Sequence, residues 1–323
     1  MKKNLLAIVG AALAATLACG AASAADWPQK PVRVIVPYAA GSTPDGIARL
    51  IFDRVQKRVG QPMVIENRPG AAGMIGADAV AKSAPDGHTL LLAPSGPLVT
   101  NALLYKKMSY DPVKDLAPVA LVAETPSILV ASNATAARDA KELVAAMADR
   151  NQKLAYASPG NGTLGHLSMA YLVATSGGEV PHAAYPGSPQ IVTALIANDV
   201  QMASLPPLAV APFVQSGRIK AIAVVGPRRS QALPGVPTLK EQGIDFEPVG
   251  WFGVATRGGT PAQTVEHIHA AIAEALKDPE LARAYAAQGL EVVDRGPADF
   301  AAYMRRELAQ WKPVIERNRI VLE

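Results

Sequence analysis

Residues 32–50 read VRVIVPYAAGSTPDGIARL. The first five positions are crowded with β-branched residues, a strand signal. From Asp45 to Val59, Ile47, Leu50, Ile51 and Val55 fall on one helical face. Between strand and helix lies a turn of small residues. Gly41 permits an unusual backbone there. Thr43 suits the N-cap, Pro44 the first helical position and Asp45 the first turn. Such a turn joins a strand's carboxyl end to a helix N-terminus, and its N–H groups and hydroxyls suit an anion. A single turn of this kind is ordinarily a helix cap and nothing more.

The same grammar recurs twice. SPGNGTLGHL, residues 158–167, follows the strand-like KLAYA. YPGSPQIVTALI, residues 185–196, places Ser188 as cap and Pro189 at the first helical position. A helix end contributes only ~0.3–1 kcal/mol to holding an anion, so several must act together. Three such turns in two halves of the chain look like the jaws of a cleft that holds carboxylates without Lys or Arg.

Working outward, short apolar strands alternate with amphipathic helices, which argues for parallel or mixed sheets covered by helices. Two segments, Leu121 to Ile128 and Pro248 to Ala255, suit crossings between domains. The expected fold is α/β and two-lobed. Each lobe is a mixed sheet flanked by helices, with the ligand cleft between them. Domain one takes residues 25–124 and 255–323, and domain two takes 125–254.

The N-terminus has the form of an export signal. Lys2 and Lys3 precede an apolar run from Leu5 to Ala18, and small residues end at Ala22-Ser23-Ala24. Cleavage after Ala24 is expected, giving a soluble periplasmic chain that starts at Ala25. Cys19 in TLAC raises a lipoprotein reading, but Thr16 stands where a bulky aliphatic residue is expected. Cys19 is the single cysteine, so the mature chain has no disulfide and no Cys-ligated metal. Loss of Lys2 and Lys3 takes the net charge from +4 to +2, and the charges are scattered, with no nucleic-acid or membrane signal. About 300 residues remain, enough for two domains.

Enzyme motifs are weak. No G-x-S-x-G, H-E-x-x-H or P-loop is present. Gly160, Gly162 and Gly165 match G-x-G-x-x-G, with Glu179 downstream, which is the dinucleotide reading. His267 and His269 lie at i, i+2 on a helix and point apart, which makes a poor metal pair. His88 reads as a strand-edge residue and His182 as the residue before a strand-like AAY. His166 lies in the first turn of a glycine-turn helix, where it faces a ligand or packs on Tyr156 or Tyr171. Ser42, Ser158 or Ser188 with His166 as base would make a hydrolase, but no third orienting group is identifiable.

The ordered set WPQKPVRVIVPYAAGSTPDGIARL, ENRPGAAGMIGADAVAKSAPDGHTLLL, YDPVKDLAPVALVAETP, YASPGNGTLGHL, ALPGVPTLKEQG and WFGVATRGGTPA resembles the TctC-like or Bug receptors of tripartite tricarboxylate transporters. The resemblance covers essentially the whole chain after residue 24. It implies a non-enzymatic periplasmic binding protein, monomeric and without metal or cofactor, that closes on a small carboxylate-bearing solute. Di- or tricarboxylates, amino acids and aromatic acids all suit it. The receptor would deliver the solute to a carrier of one large and one small integral membrane subunit.

Matching motifs carry over Ala40, Gly41, Ser42, Thr43 and Asp45 from the first lobe as ligand-binding residues. From the second lobe come Ser158, Gly160, Gly162, Thr163 and His166, with Gly187 and Ser188 from the third turn. Ser42 replaces a second glycine that is usual in the family. Ser204 stands where the family often has Asp or Asn, which leans towards a less polar solute. Ser95, with Gly96, occupies a further cleft-edge turn.

Overall fold

The computed structural model describes residues 27–160, 162–185, 187–317 and 320. The signal-like segment 1–24, Cys19 and the expected start at Ala25 lie outside them.

A first sheet is built from β1 (Val32–Val36), β2 (Met63–Asn67), β3 (Thr89–Pro94), β4 (Leu116–Thr125), β10 (Gly250–Arg257) and β11 (Glu291–Arg295). A second holds β5 (Ser127–Ala131), β6 (Tyr156–Ser158), β7 (His182–Ala184), β8 (Met202–Leu205) and β9 (Lys220–Val225). The spatial orders are β11-β4-β10-β3-β1-β2 and β7-β6-β8-β5-β9. The helices are α1 (Thr43–Val59), α2 (Met74–Ala81), α3 (Asn101–Leu104), α4 (Ala140–Ala148), α5 (Leu164–Ser176), α6 (Ser188–Ala197), α7 (Pro207–Gln215), α8 (Ala262–Leu276), α9 (Pro279–Ala286) and α10 (Pro297–Arg317). None of the described helices is long and apolar enough to cross a membrane.

Both sheets are mixed, as expected. β1 runs parallel to β2 and β3, while β10 is antiparallel to β3 and β4. β6 runs parallel to β7 and β8, while β5 is antiparallel to β8 and β9. The VRVIV run is apolar at nearly every position because its sheet is covered on both faces. Val32, Val34 and Val36 pack with Ile47, Ile51 and Val55 of α1. Ile35 and Leu91 face the other way, towards Ala77 and Val80 of α2. The second sheet repeats this two-sided burial: Leu129 and Met202 lie in one core, and Ile128 and Ala203 in another.

The chain leaves the first sheet at Thr125 and enters the second at Ser127, with Pro126 between. It returns before Gly250, which pairs with Thr125. The expected second border, after 254, is therefore corrected: all of β10 belongs to the first sheet. The terminal helix is also not confined to domain one. Phe300 and Met304 of α10 lie in the first lobe's core. Trp311, Val314 and Ile315 lie in the second lobe's core. The 21 residues of α10 span ~30 Å at 1.5 Å per residue, enough to reach both.

Candidate functional site

Carboxyl ends of parallel strands gather the predicted turns at two edges. In the first lobe, β2, β1 and β3 lie side by side, so the segments after Asn67, Val36 and Pro94 converge. In the second, β7, β6 and β8 do the same, bringing together the turns at Ser158 and Tyr185 and the end of β8 at Ser204. The two edges meet. A methyl on Gly250 would lie 3.4 Å from Leu164 Cδ2, at the start of α5. A methyl on Gly46 of α1 would lie 3.4 Å from Gln288 Oε1, and one on neighbouring Gly289 would lie 3.8 Å from Leu208 of α7. Carboxyl-end crevices of this kind are where open α/β sheets bind ligands.

The opening turn is held from inside. Asp45 is 3 % exposed. Its Oδ2 accepts from Gly41 N–H at 2.9 Å and Arg49 Nε at 3.0 Å, and its Oδ1 from Asn67 Nδ2 at 2.9 Å. Burial opposes ionisation of this carboxyl, but the bonds from Arg49, Gly41 and Asn67 outweigh it and hold its pKa below the usual range. Asp45 thus braces the turn through both of its oxygens, and the Gly41 N–H is taken up by Asp45 rather than turned outward. Gly41 adopts φ +80°, which a side chain would resist.

The cap assignment also changes. Ser42, not Thr43, is the N-cap of α1, and its side chain makes no capping bond. Its Oγ is buried without a partner. Thr43 is the first helical residue and is exposed, as is Ala40. In the third turn Gly187 is the N-cap and Ser188 the first helical residue, again one position from expectation. Proline is tolerated at either of the first two helical positions, so the motif alone leaves the register open.

The Ser158 turn matches its reading more closely. Thr163 caps α5, its Oγ1 accepting from His166 N–H at 3.3 Å and donating to Gly160 O at 2.8 Å. Gly160 and Gly162 take φ +130° and +76°. His166 is buried and stacks on His182, with centroids 4.1 Å apart. Its centroid lies 6.2 Å from Tyr156, and Tyr171 instead stacks on Phe246. Burial and the neighbouring His182 push the His166 pKa down to about 4, so the ring is neutral near pH 7. Gly165 sits where a methyl would lie 2.5 Å from Ser204 O, so the third glycine of the G-x-G-x-x-G match serves helix-on-strand packing. Glu179 is on the surface, paired with Arg150 at 3.3 Å.

The hydrolase pairing is not formed: Ser158 Oγ lies 2.7 Å from Nε2 of His182, not from His166. Ser158 is fully buried and also bonds Gly160 O at 3.0 Å. Ser204 is buried with its Oγ unpartnered. Ser95 is half-buried and opens a π-helical turn over Gly96–Thr100. Sequence reading missed Asn67, His182 and the strained Ala71-Ala72 pair, both left-handed at φ 47° and 51°. Only a non-glycine in a Gly-rich turn could have signalled the last.

The profile described as "Tripartite tricarboxylate transporter family receptor" matches residues 47–320. The chain belongs to this family. Protein BugT of Bordetella pertussis is 33 % identical over 321 residues, covering 98 % of this chain and 97 % of BugT. Among solved structures, Rhodopseudomonas palustris Rpa4515 with adipate is 31 % identical with a TM-score of 0.77, covering 92 % of this chain and 99 % of that one. MatC from the same organism, with bound malate, is 30 % identical with a TM-score of 0.74, covering 90 % and 100 %. The two-lobed fold is that of these periplasmic binding proteins, and the receptor family is one of solute-binding proteins.

Proposed function

We propose that this protein captures a small organic carboxylate between its lobes in the periplasm and hands it to the integral membrane subunits of a tripartite transporter. The observation that carries this is the convergence of uncharged donors at two facing carboxyl edges. Helix N-termini, the Ser42 hydroxyl and neutral His166 supply hydrogen bonds without a cation. The adipate and malate held by its structural neighbours make a dicarboxylate the first choice of solute.

The reading extends to an exported mature chain from Ala25, acting as a monomer that binds without turnover. Full burial of Ser158, with its hydroxyl 3.0 Å from Gly160 O, supports binding without turnover.

Thermal shift of the mature protein against adipate, malate, citrate, aspartate and benzoate tests this. A true ligand at 100 times its Kd adds ~2.7 kcal/mol. Recovery of that acid unchanged supports a receptor, and consumption of it overturns that reading. No stabilisation by any acid would sink the carboxylate assignment.

A further inference from the structure

His166 on α5 and His182 on β7 stack at 4.1 Å with planes 19° apart, and Tyr156 lies 4.9 Å from His182. The proton positions follow from the bonds around them. The Ser158 hydroxyl donates to Gly160 O at 3.0 Å and accepts Gly160 N–H at 3.3 Å. With that proton on Gly160 O, the 2.7 Å contact to His182 Nε2 is one in which Ser158 accepts and His182 carries its proton on Nε2. His166 Nδ1 accepts Gly162 N–H at 3.0 Å, so His166 also carries its proton on Nε2. That Nε2–H finds no acceptor among the described residues.

We propose that His182 is a positioning residue that locks the second lobe's two glycine turns into one ligand platform. Its Nε2–H anchors on Ser158 in one turn. Its ring holds His166 against Gly162, which leaves the His166 Nε2–H as a ready donor to a carboxylate. The third turn is tied to the same point: β7 leads directly into it, and Tyr185 N–H donates to Ser158 O at 3.0 Å. Pre-organised donors avoid the ordering cost that loose turns would incur on binding. This inference rests on the receptor reading for the ligand's identity, but not for the lock itself.

The test uses the mature protein labelled with nitrogen-15. It has five histidines, few enough to assign by substitution. In the parent, His166 should be the Nε2–H tautomer and the Gly162 amide should be protected from exchange. His182→Phe fills the same space without the anchoring N–H. It should mix the His166 tautomers and speed Gly162 exchange about tenfold, with core amides unchanged. His182→Ala should do more. A folded His182→Phe protein with parental His166 tautomer and Gly162 exchange overturns the lock. In the parent, adipate should shift the Gly162 and His166 Nε2–H signals, and His182→Phe should weaken that titration about tenfold. If adipate, malate and citrate all leave those signals unmoved, the receptor reading fails, while the tautomer and exchange data still decide the lock.

Discussion

Trp251 and Trp311 donate their indole N–H groups to the same atom, Glu307 Oε2, each at 3.1 Å. Trp251 lies in the first lobe's core, edge-on to Phe300 at 5.4 Å. Trp311 lies in the second lobe's core, edge-on to Phe246 at 5.9 Å. One buried carboxylate thus ties the two lobes where α10 passes between them. Burial pushes the Glu307 pKa above its ordinary range, against the two indole bonds. A raised folded pKa means this group's stabilisation is complete below its unfolded value of 4.5 and is lost as pH rises through the folded value. Glu307→Gln keeps an acceptor and removes the charge. Its stability relative to the parent should rise as pH is taken upward from 4.5. Glu307→Ala leaves two buried N–H groups unpaired, at ~1–3 kcal/mol each. Denaturant melts across pH check both; parallel pH curves for parent and Gln variant would refute the assignment.

His166 has the opposite sign. Its pKa falls from 6.5 to about 4 on folding, a difference of about 3 kcal/mol. That stability is complete above the unfolded value and is lost as pH falls towards the folded one. His182 is lowered too, by burial. The melting temperature should fall between pH 7 and pH 4.5 more steeply in the parent than in His166→Phe. Equal slopes would show that the ring is not buried neutral.

Ser42 and Thr43 separate capping from binding. Ser42 Oγ has no partner to lose, so Ser42→Ala should change stability by less than ~0.5 kcal/mol. If the hydroxyl meets the bound carboxylate, the loss is ~1.5–3 kcal/mol, a ten- to hundredfold weaker Kd by calorimetry. Thr43 is exposed and caps nothing, so Thr43→Ala should leave stability within ~0.5 kcal/mol. An unchanged Kd in Ser42→Ala would remove this hydroxyl from the site.

Gly165→Ala puts a methyl against the Ser204 carbonyl, which is backbone and cannot swing away. The expected cost is ~1–3 kcal/mol. Ala72→Gly runs the other way: relief of a left-handed alanine, ~1–2 kcal/mol, exceeds the extra freedom glycine gives the unfolded chain, ~0.4–1 kcal/mol. Chemical denaturation should show the first variant weaker and the second equal to or slightly stronger than the parent.

Strand and helix identities were readable because they depend on neighbours in sequence. VRVIV carries its own β signal, and Ile47, Ile51 and Val55 their own helical one, and both stand where expected. The glycine turns, their helices and the two-lobed alternation were legible for the same reason, as was the receptor family from the order of its motifs. Capping was read one residue off at Ser42 and Gly187, because Pro44 and Pro189 fit two registers. Tertiary packing decided what each polar group does. Arg49, four residues on, offers Asp45 only a helix-face pairing. Asn67, which takes its other oxygen, comes from the next strand. Ser158 finds its imidazole in His182, 24 residues away, not in His166 eight residues on. Trp251 and Trp311 meet at Glu307 only because α10 is long enough to join both cores. Local propensity is summed over adjacent residues, whereas a buried hydrogen bond forms with whichever donor the fold brings within reach, and linear order does not encode that distance.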